Sequence, residues 1–233
     1  MKARALFALT AAAAALAAPL GLAPGAAFAQ VQRDWSRTIV ATPEGGFRMG
    51  NPAAAVKLVE FVSLTCPHCR EFALSGAPHL VQRYVRGGRV SFEIRPFPLD
   101  AVASMAAQLN RCAPPAGAFA LNDAILAGQE QWFGRLQALT DQQLAELDGL
   151  PEAQLRLRVA AITGLDAIAA RHGIPAARVR SCLAEETGAR RVAAIKTAGE
   201  RIGIAGTPSF TINGRVAQNV HDWAALEPLL RGR

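Results

Sequence analysis

The chain has 233 residues, enough for one large domain or for one domain that carries an insertion. It contains 25 lysines and arginines against 18 aspartates and glutamates, and the basic residues are scattered along the sequence. Scattered basic residues are typical of a solvated surface and argue against a protein that binds nucleic acid.

The first 29 residues have the pattern of a cleaved secretory signal peptide. Lys2 and Arg4 precede an apolar run over 5–18, and an A-x-A cleavage sequence occupies 27–29. The apolar run is too short and too rich in alanine for a good membrane-spanning helix, so we expect cleavage after Ala29. An exported chain meets an oxidising compartment, which in an organism with two membranes is the periplasm.

The next segments predict strands. Residues 30–51 carry two short apolar runs around a Pro-Glu-Gly-Gly turn, which predicts an edge hairpin. Residues 56–64 are apolar at almost every position, on both faces of an extended chain. That composition predicts a central strand covered on both sides.

Cys66, Pro67, His68 and Cys69 follow this strand, where a helical pattern begins. A strand that leads into a helix through C-x-x-C is the thioredoxin-type redox signature. Cys66 would lie at the helix N-terminus, where unpaired N–H groups and the macrodipole stabilise a thiolate, and Pro67 suits the first turn. We therefore expect Cys66 to be the exposed nucleophile and Cys69 the buried resolving thiol.

Two other interpretations of the C-x-x-C sequence are weaker. A zinc site would need two more ligands at similar spacing, and the sequence has no second C-x-x-C and no H-x-x-x-H. A structural disulfide across two intervening residues would close almost no loop and would stabilise little. We therefore expect redox chemistry and no metal at this site.

The middle of the chain is predicted to be mainly helical. Gly76 and Pro78 interrupt the first helical pattern, so we expect a kink and two helical pieces. Residues 89–95 alternate between apolar and polar and predict a second core strand. From Leu99 to about Arg201 the apolar spacing is helical, and glycine and proline breakers divide the segment into several helices.

The sequence then returns to strand patterns. Thr207-Pro208 precedes the apolar run at 209–212, and Asn213-Gly214 between two apolar runs predicts a β-hairpin. Residues 222–230 predict a last amphipathic helix.

Three stretches, in this order along the chain, carry a resemblance to a known family: VEFVSLTCPHC, RVSFEIR and GTPSFTING. They resemble the DsbA-like thiol:disulfide oxidoreductases of the thioredoxin superfamily. The resemblance implies an α/β, thioredoxin-like fold with an inserted α-helical subdomain. Residues 30–98 and 202–233 would form the discontinuous thioredoxin-like domain, and 99–201 the helical insertion.

The resemblance also implies roles for individual residues. Thr207 and Pro208 would form a cis-proline loop opposite Cys66 that binds substrate. The Pro67-His68 dipeptide is the one associated with strongly oxidising members, and His68 beside Cys66 would favour the thiolate. The redox-active disulfide would serve without a separate cofactor.

Glu60 is the polar exception on the predicted central strand, and two interpretations of it stay open. A buried acid without a partner is costly, and the resemblance implies a proton acceptor near Cys69. Alternatively, Glu60 lies at a wet strand end and pairs with a basic side chain such as Lys57 or an arginine.

Cys112 and Cys182 both lie in the helical segment, and neither has ligands at metal-site spacing. Four cysteines in an exported chain, two of them in the active site, leave these as an even pair. We expect a structural disulfide between them. The rival interpretation is two separate buried thiols.

The functional prediction is a periplasmic dithiol oxidase that works as a monomer and donates disulfides to unfolded secreted proteins. No N-terminal dimerisation domain is seen before the predicted fold, which favours an oxidase over an isomerase. The resemblance implies that a DsbB-like membrane protein reoxidises it. The alternatives are an isomerase or reductase of the same fold, and a peptide-binding chaperone in which the disulfide is incidental.

Overall fold

The computed structural model describes residues 33–231, so the signal peptide predicted over 1–29 lies outside the described residues. Within 33–231 the chain forms six strands that share one sheet. The strands are Ile39–Ala41 (β1), Phe47–Gly50 (β2), Val56–Val62 (β3), Val90–Pro96 (β4), Ser209–Ile212 (β5) and Arg215–Val216 (β6).

The sheet is mixed, in the order β1-β2-β4-β3-β5-β6. The central strand β3 runs parallel to β4, with Leu58 opposite Phe92, and antiparallel to β5, with Leu58 also opposite Ile212. This position explains why β3 is apolar on both faces. The predicted hairpin of β1 and β2 lies at one edge, and the Asn213-Gly214 hairpin of β5 and β6 lies at the other.

The helical stretch after β3 is continuous. It consists of Pro67–Glu71 (α1), a wider π-helical turn at Phe72–Gly76, Ala77–Leu80 (α2) and a second π-helical turn at Val81–Val85. The backbone stays helical through every junction. The expected break into two pieces is therefore wrong, because the wider turn accommodates the bond that Pro78 cannot donate.

The two faces of the sheet bury different aromatic side chains. On one face Phe72 packs against Phe210 with ring centroids 4.9 Å apart. On the other face Phe61 and Phe97 meet edge to face at 6.3 Å. A Cβ added at Gly199 would approach both of these rings at 3.0–3.1 Å, so glycine lets its helix lie close to the sheet.

Eight helices occupy the segment between β4 and β5, and one helix follows β6, all within the described residues. They are Ala101–Asn110 (α3), Pro115–Ala127 (α4), Gln129–Gln137 (α5), Asp141–Asp148 (α6), Glu152–Thr163 (α7), Leu165–Arg171 (α8), Ala176–Ala184 (α9), Glu186–Arg201 (α10) and Trp223–Arg231 (α11). The structure is thus a mixed sheet with a large helical insertion, as the apolar spacing predicts.

A disulfide joins Cys112, just after α3, to Cys182 in α9, with Cα atoms 6.0 Å apart. Both residues are buried. The bond ties the first helix of the insertion to a helix near its end, and it spans 70 positions of sequence.

Candidate active site

The C-x-x-C sequence lies where β3 leads into α1. Cys66 is the N-cap residue with an extended backbone, and Pro67 is the first helical residue. Cys69 follows on the first turn, on the buried side of the helix. Cys66 and Cys69 are free thiols.

The cis-proline loop lies directly against Cys66. The Thr207–Pro208 peptide bond is cis, as the resemblance implies. The Cys66 thiol donates a hydrogen bond of 3.3 Å to the Thr207 carbonyl oxygen. This contact covers the sulfur, so Cys66 exposes only 5% of its surface and the expectation of an exposed thiol is wrong.

The environment of Cys66 stabilises its thiolate. The pKa of Cys66 is lowered to about 5, chiefly because the Cys69 thiol donates a hydrogen bond to the sulfur. The backbone N–H groups of Cys69 and His68 lower the pKa further, against the opposing effect of burial. The Thr207 carbonyl cannot contribute, because it accepts a hydrogen bond from the protonated thiol alone.

Cys69 has the opposite character. It is fully buried, and burial raises its pKa well above the ordinary value of a thiol. The hydrogen bond to Cys66 and the nearby carboxyl of Glu60 raise it further. One turn of helix therefore carries a thiol that ionises readily and a thiol that holds its proton.

His68 acts on Cys66 through its backbone. The imidazole is 76% exposed, and its Nδ1 lies 3.9 Å from the Glu71 carboxylate. The backbone N–H, by contrast, contributes to the low pKa of Cys66. The motif therefore places a main-chain donor at the sulfur, while the imidazole ring lies in solvent.

Glu60 is buried on β3, with 3% of its surface exposed. Its Oε1 atom has no hydrogen-bond partner among the described residues, and burial raises its pKa well above the ordinary value. Lys57 instead donates to the carbonyl oxygens of Pro52 and Ala54. The interpretation of Glu60 as a wet strand-end acid is contradicted, and a buried acid near the two cysteines remains.

Gln129, the first residue of α5, contacts the active site although no sequence pattern indicates it. Its buried amide group donates to the carbonyl oxygens of Leu64 at 2.9 Å and Cys66 at 3.1 Å. The helical insertion thereby holds the loop that ends in the nucleophile. A glutamine in a helical segment has no distinctive spacing, so this contact could not be predicted.

Thr65 anchors the same loop to the insertion on another side. Its hydroxyl donates at 2.6 Å to Asp100 Oδ2, while Oδ1 of Asp100 accepts from the N–H of Ala103 at 2.7 Å. Asp100 is thus both the N-cap of α3 and a partner of the active-site loop.

Residues 33–231 contain no group of three or more histidine, cysteine, aspartate or glutamate side chains that could hold a metal ion. In the same residues, none of the helices combines the length and apolar character needed to span a bilayer.

Comparisons with known proteins agree with this geometry. The sequence model of the family described as Thioredoxin matches residues 42–231. A crystal structure of a protein-disulfide isomerase from Novosphingobium aromaticivorans is 34% identical, with a TM-score of 0.74, and the match covers 80% of this chain and 95% of that one. The alpha-DsbA1 protein of Wolbachia pipientis is 20% identical with a TM-score of 0.61, covering 83% of this chain and 92% of that one.

A curated relative from Rickettsia prowazekii, named as a candidate protein-disulfide oxidoreductase, is 30% identical over 112 residues. The match covers 46% of this chain and 40% of the length of that relative. A curated relative from Rickettsia bellii with a similar name is matched over 35% of its length.

A central strand that leads through C-x-x-C into a helix, opposite a cis-proline, defines the thioredoxin class of thiol:disulfide proteins. The chain belongs to the Thioredoxin family, and its fold is shared with solved protein-disulfide isomerase and DsbA structures. The predicted fold class, a thioredoxin-like sheet with a helical insertion formed by α3–α10, is confirmed.

Proposed function

We propose that the protein is a dithiol oxidase that donates disulfides to unfolded secreted proteins in the periplasm. The observation that carries the proposal is the position of Cys66, at the N-cap of α1 with Cys69 on the first turn and the cis-proline loop against its sulfur. In this position the pKa of Cys66 is lowered to about 5, chiefly by the hydrogen bond from Cys69. A stabilised thiolate stabilises the reduced enzyme, so its disulfide form is a strong oxidant.

The stability of the reduced protein depends on pH through the ionisation of Cys66. A thiol whose pKa is depressed by folding contributes stability above its unfolded pKa, near 9, and loses that contribution as the pH falls through about 5. At neutral pH the reduced form therefore retains much of the stabilisation. The disulfide form has no thiolate and gains nothing from the same donors.

The proposed reaction uses the two cysteines in sequence. A substrate thiolate attacks Cys66 Sγ of the enzyme disulfide, the bond to Cys69 breaks, and the Cys69 thiolate takes up a proton. A second substrate thiolate then attacks the substrate sulfur of the mixed disulfide and releases Cys66 as a thiolate. The substrate dithiol is oxidised, and the enzyme disulfide is reduced.

The neighbouring residues suit this sequence of steps. Glu60 is the buried acid near the pair, so we propose that it exchanges the proton of Cys69. Thr207 and Pro208 lie against Cys66, and we propose that the backbone at Thr207 pairs with an extended substrate as an added strand.

The proposal also covers the roles of the two domains, the partner that reoxidises the enzyme, and its location. Residues 30–98 and 202–233 would act as the redox domain, with 99–201 as the helical insertion that borders it. A DsbB-like membrane protein would reoxidise the pair, and the enzyme would work as a monomer in the periplasm after cleavage of its signal peptide. The protein substrates are proposed on the strength of the DsbA-like family.

An isomerase is the second candidate function, because the Novosphingobium relative is named a protein-disulfide isomerase. Isomerisation begins with attack by a reduced Cys66 on a wrong substrate disulfide, so it needs the pair kept reduced. The same thiolate serves both reactions, and the redox state of the enzyme decides between them.

Mixing the oxidised protein with a reduced two-cysteine peptide tests the proposal. We expect near-stoichiometric conversion of the peptide to its disulfide, because the stabilised Cys66 thiolate makes the reduced enzyme the favoured product. Peptide oxidation is followed by mass spectrometry, and protein reduced and then alkylated is the control. Little conversion by the oxidised protein, together with repair of a scrambled disulfide substrate by the reduced protein, would favour the isomerase.

A further inference from the structure

A side chain, rather than the sheet, holds one side of the cis-proline loop. The carbonyl groups of Phe210 and of Pro208, two residues earlier, point to the same side of the chain, because direction alternates along extended backbone. The Phe210 carbonyl accepts a hydrogen bond of 2.8 Å from the N–H of Ala217. Strand β6 ends at Val216, so the sheet does not continue alongside Pro208. There the donor is the imidazole of His221, whose Nδ1 lies 3.0 Å from the Pro208 carbonyl oxygen.

The direction of this hydrogen bond follows from the partner. A carbonyl oxygen can only accept, so Nδ1 of His221 carries the hydrogen and donates it. A protonated imidazole donates from both nitrogens, so the bond persists if the ring becomes charged. Pro208 is buried while His221 is exposed. An unpaired carbonyl at a buried residue would cost free energy, so this bond stabilises the observed conformation of the loop.

The residues on both sides of His221 are fixed in place. Asn219 has a φ of 59°, a left-handed conformation that asparagine adopts more readily than most residues. Val220, which follows it, is buried in the core with 5% of its surface exposed. On the other side, Asp222 Oδ1 accepts a hydrogen bond of 2.8 Å from the N–H of Ala225 in the first turn of α11. The backbone therefore delivers the imidazole to the Pro208 carbonyl from an anchored position.

The bond from His221 bears on the backbone that faces the nucleophile. Thr207 immediately precedes Pro208, and its carbonyl oxygen lies 3.3 Å from the Cys66 sulfur. The proline ring fixes φ, so the peptide groups before and after Pro208 can rotate relative to each other only through ψ. Holding the Pro208 carbonyl therefore restricts the orientation of the Thr207 carbonyl as well.

We infer that His221 is a positioning residue for thiol–disulfide exchange at Cys66: it holds the Pro208 carbonyl, and through it the Thr207 backbone, in the orientation that receives an extended substrate. The inference rests on the substrate pairing proposed above for Thr207. His221 acts through the loop and exchanges no atom or proton with the substrate.

Three substitutions at this position separate the donor from the rest of the side chain. His221→Leu removes the donor and keeps an apolar body, His221→Asn places an amide N–H close to the position of Nδ1, and His221→Gln places it one bond further out. The first measurement is the rate of peptide oxidation by the oxidised protein against peptide concentration. We expect KM to rise about 5-fold in His221→Leu, the loss of one neutral hydrogen bond, with a limiting rate near wild type. His221→Asn should stay near wild type, and His221→Gln should resemble His221→Leu.

The second measurement is the rate at which iodoacetamide alkylates Cys66 in the reduced protein at pH 8, well above the Cys66 pKa of about 5. A looser loop uncovers the sulfur more often, so we expect alkylation about 5-fold faster in His221→Leu and near the wild-type rate in His221→Asn. The matched control is His79→Leu, which removes another exposed histidine, whose ring lies 6.2 Å from that of Trp223 in α11. It should leave both measurements unchanged. A merely structural role for His221 would lower the urea unfolding midpoint without changing either one.

Wild-type KM and alkylation rate in His221→Leu, or losses that His221→Asn does not restore, would overturn the positioning role. If His221→Leu does not fold, equal behaviour of His221→Asn and His221→Gln would overturn it too. Wild-type protein that fails to oxidise the peptide, while His221→Leu still speeds alkylation of Cys66, would support the hold on the loop and overturn the oxidase proposal instead. The two failures are therefore distinguishable.

Discussion

Replacing Cys66 with serine is expected to reduce dithiol oxidation to the uncatalysed background, because no other described thiol is free to form the mixed disulfide. Cys112 and Cys182 are bonded to each other, and Cys69 is fully buried. Replacing Cys69 with serine is expected to have a different result. Cys66 then has no internal partner and forms a mixed disulfide by attacking an existing substrate disulfide, which expels one substrate thiolate. Because Cys69 is no longer there to attack Cys66 and expel the second substrate thiolate, the mixed disulfide accumulates.

Electrophoresis of the exported protein fraction without reducing agent would measure both effects. We expect slower-migrating, reductant-sensitive bands with Cys69→Ser and none with Cys66→Ser. The control is the wild-type protein, in which Cys69 is present to resolve the mixed disulfide, so the slower-migrating bands should not accumulate. Equal trapping by Cys66→Ser and Cys69→Ser would contradict the assigned roles.

Loss of the disulfide between Cys112 and Cys182 is expected to produce the largest change in stability. The bond spans 70 positions and is buried. Constraint of the unfolded chain over such a loop contributes about 4 kcal/mol. The variant in which both cysteines become alanine should therefore unfold at a markedly lower urea concentration, with a lower Tm.

Urea unfolding followed by tryptophan fluorescence measures this difference, since Trp132 lies in the buried core of the insertion. The comparison should use protein in which Cys66 and Cys69 are both serine, so that the active-site pair cannot exchange with the structural one. Thiol counting on that background should find no free thiol before reduction. Two alkylatable thiols in freshly exported protein, or an unchanged unfolding midpoint after reduction, would argue against the bond.

Local patterns predicted the parts of the site that lie close together in sequence. The apolar β3 followed by C-x-x-C placed Cys66 at the start of a helix, because a strand-to-helix turn depends on neighbouring residues. The cis-proline at Pro208 is predicted by the sequence GTPSFTING and the family resemblance that it carries. These positions depend little on how the insertion packs.

The contributions of the insertion could not be predicted in the same way. Gln129 reaches the active-site loop across 63 positions of sequence, and Asp100 accepts a hydrogen bond from Thr65 of the same loop across 35 positions. Both residue types are ordinary for helices and their caps, and only the tertiary packing of the insertion brings them to the site. The burial of Cys66 was missed for the same reason, since a loop 141 positions away covers its sulfur.

The central claim is that folding stabilises the Cys66 thiolate, and alkylation of the reduced protein by iodoacetamide across pH 3 to 9 tests it most directly. We expect one rapidly modified thiol, identified by mass spectrometry as Cys66, whose rate rises through about pH 5, while Cys69 stays unmodified in the folded protein. In Cys69→Ala the inflection should move to higher pH, because Cys69 is the main source of the stabilisation. Two thiols that both titrate near the ordinary value, about 8.5, would contradict the account.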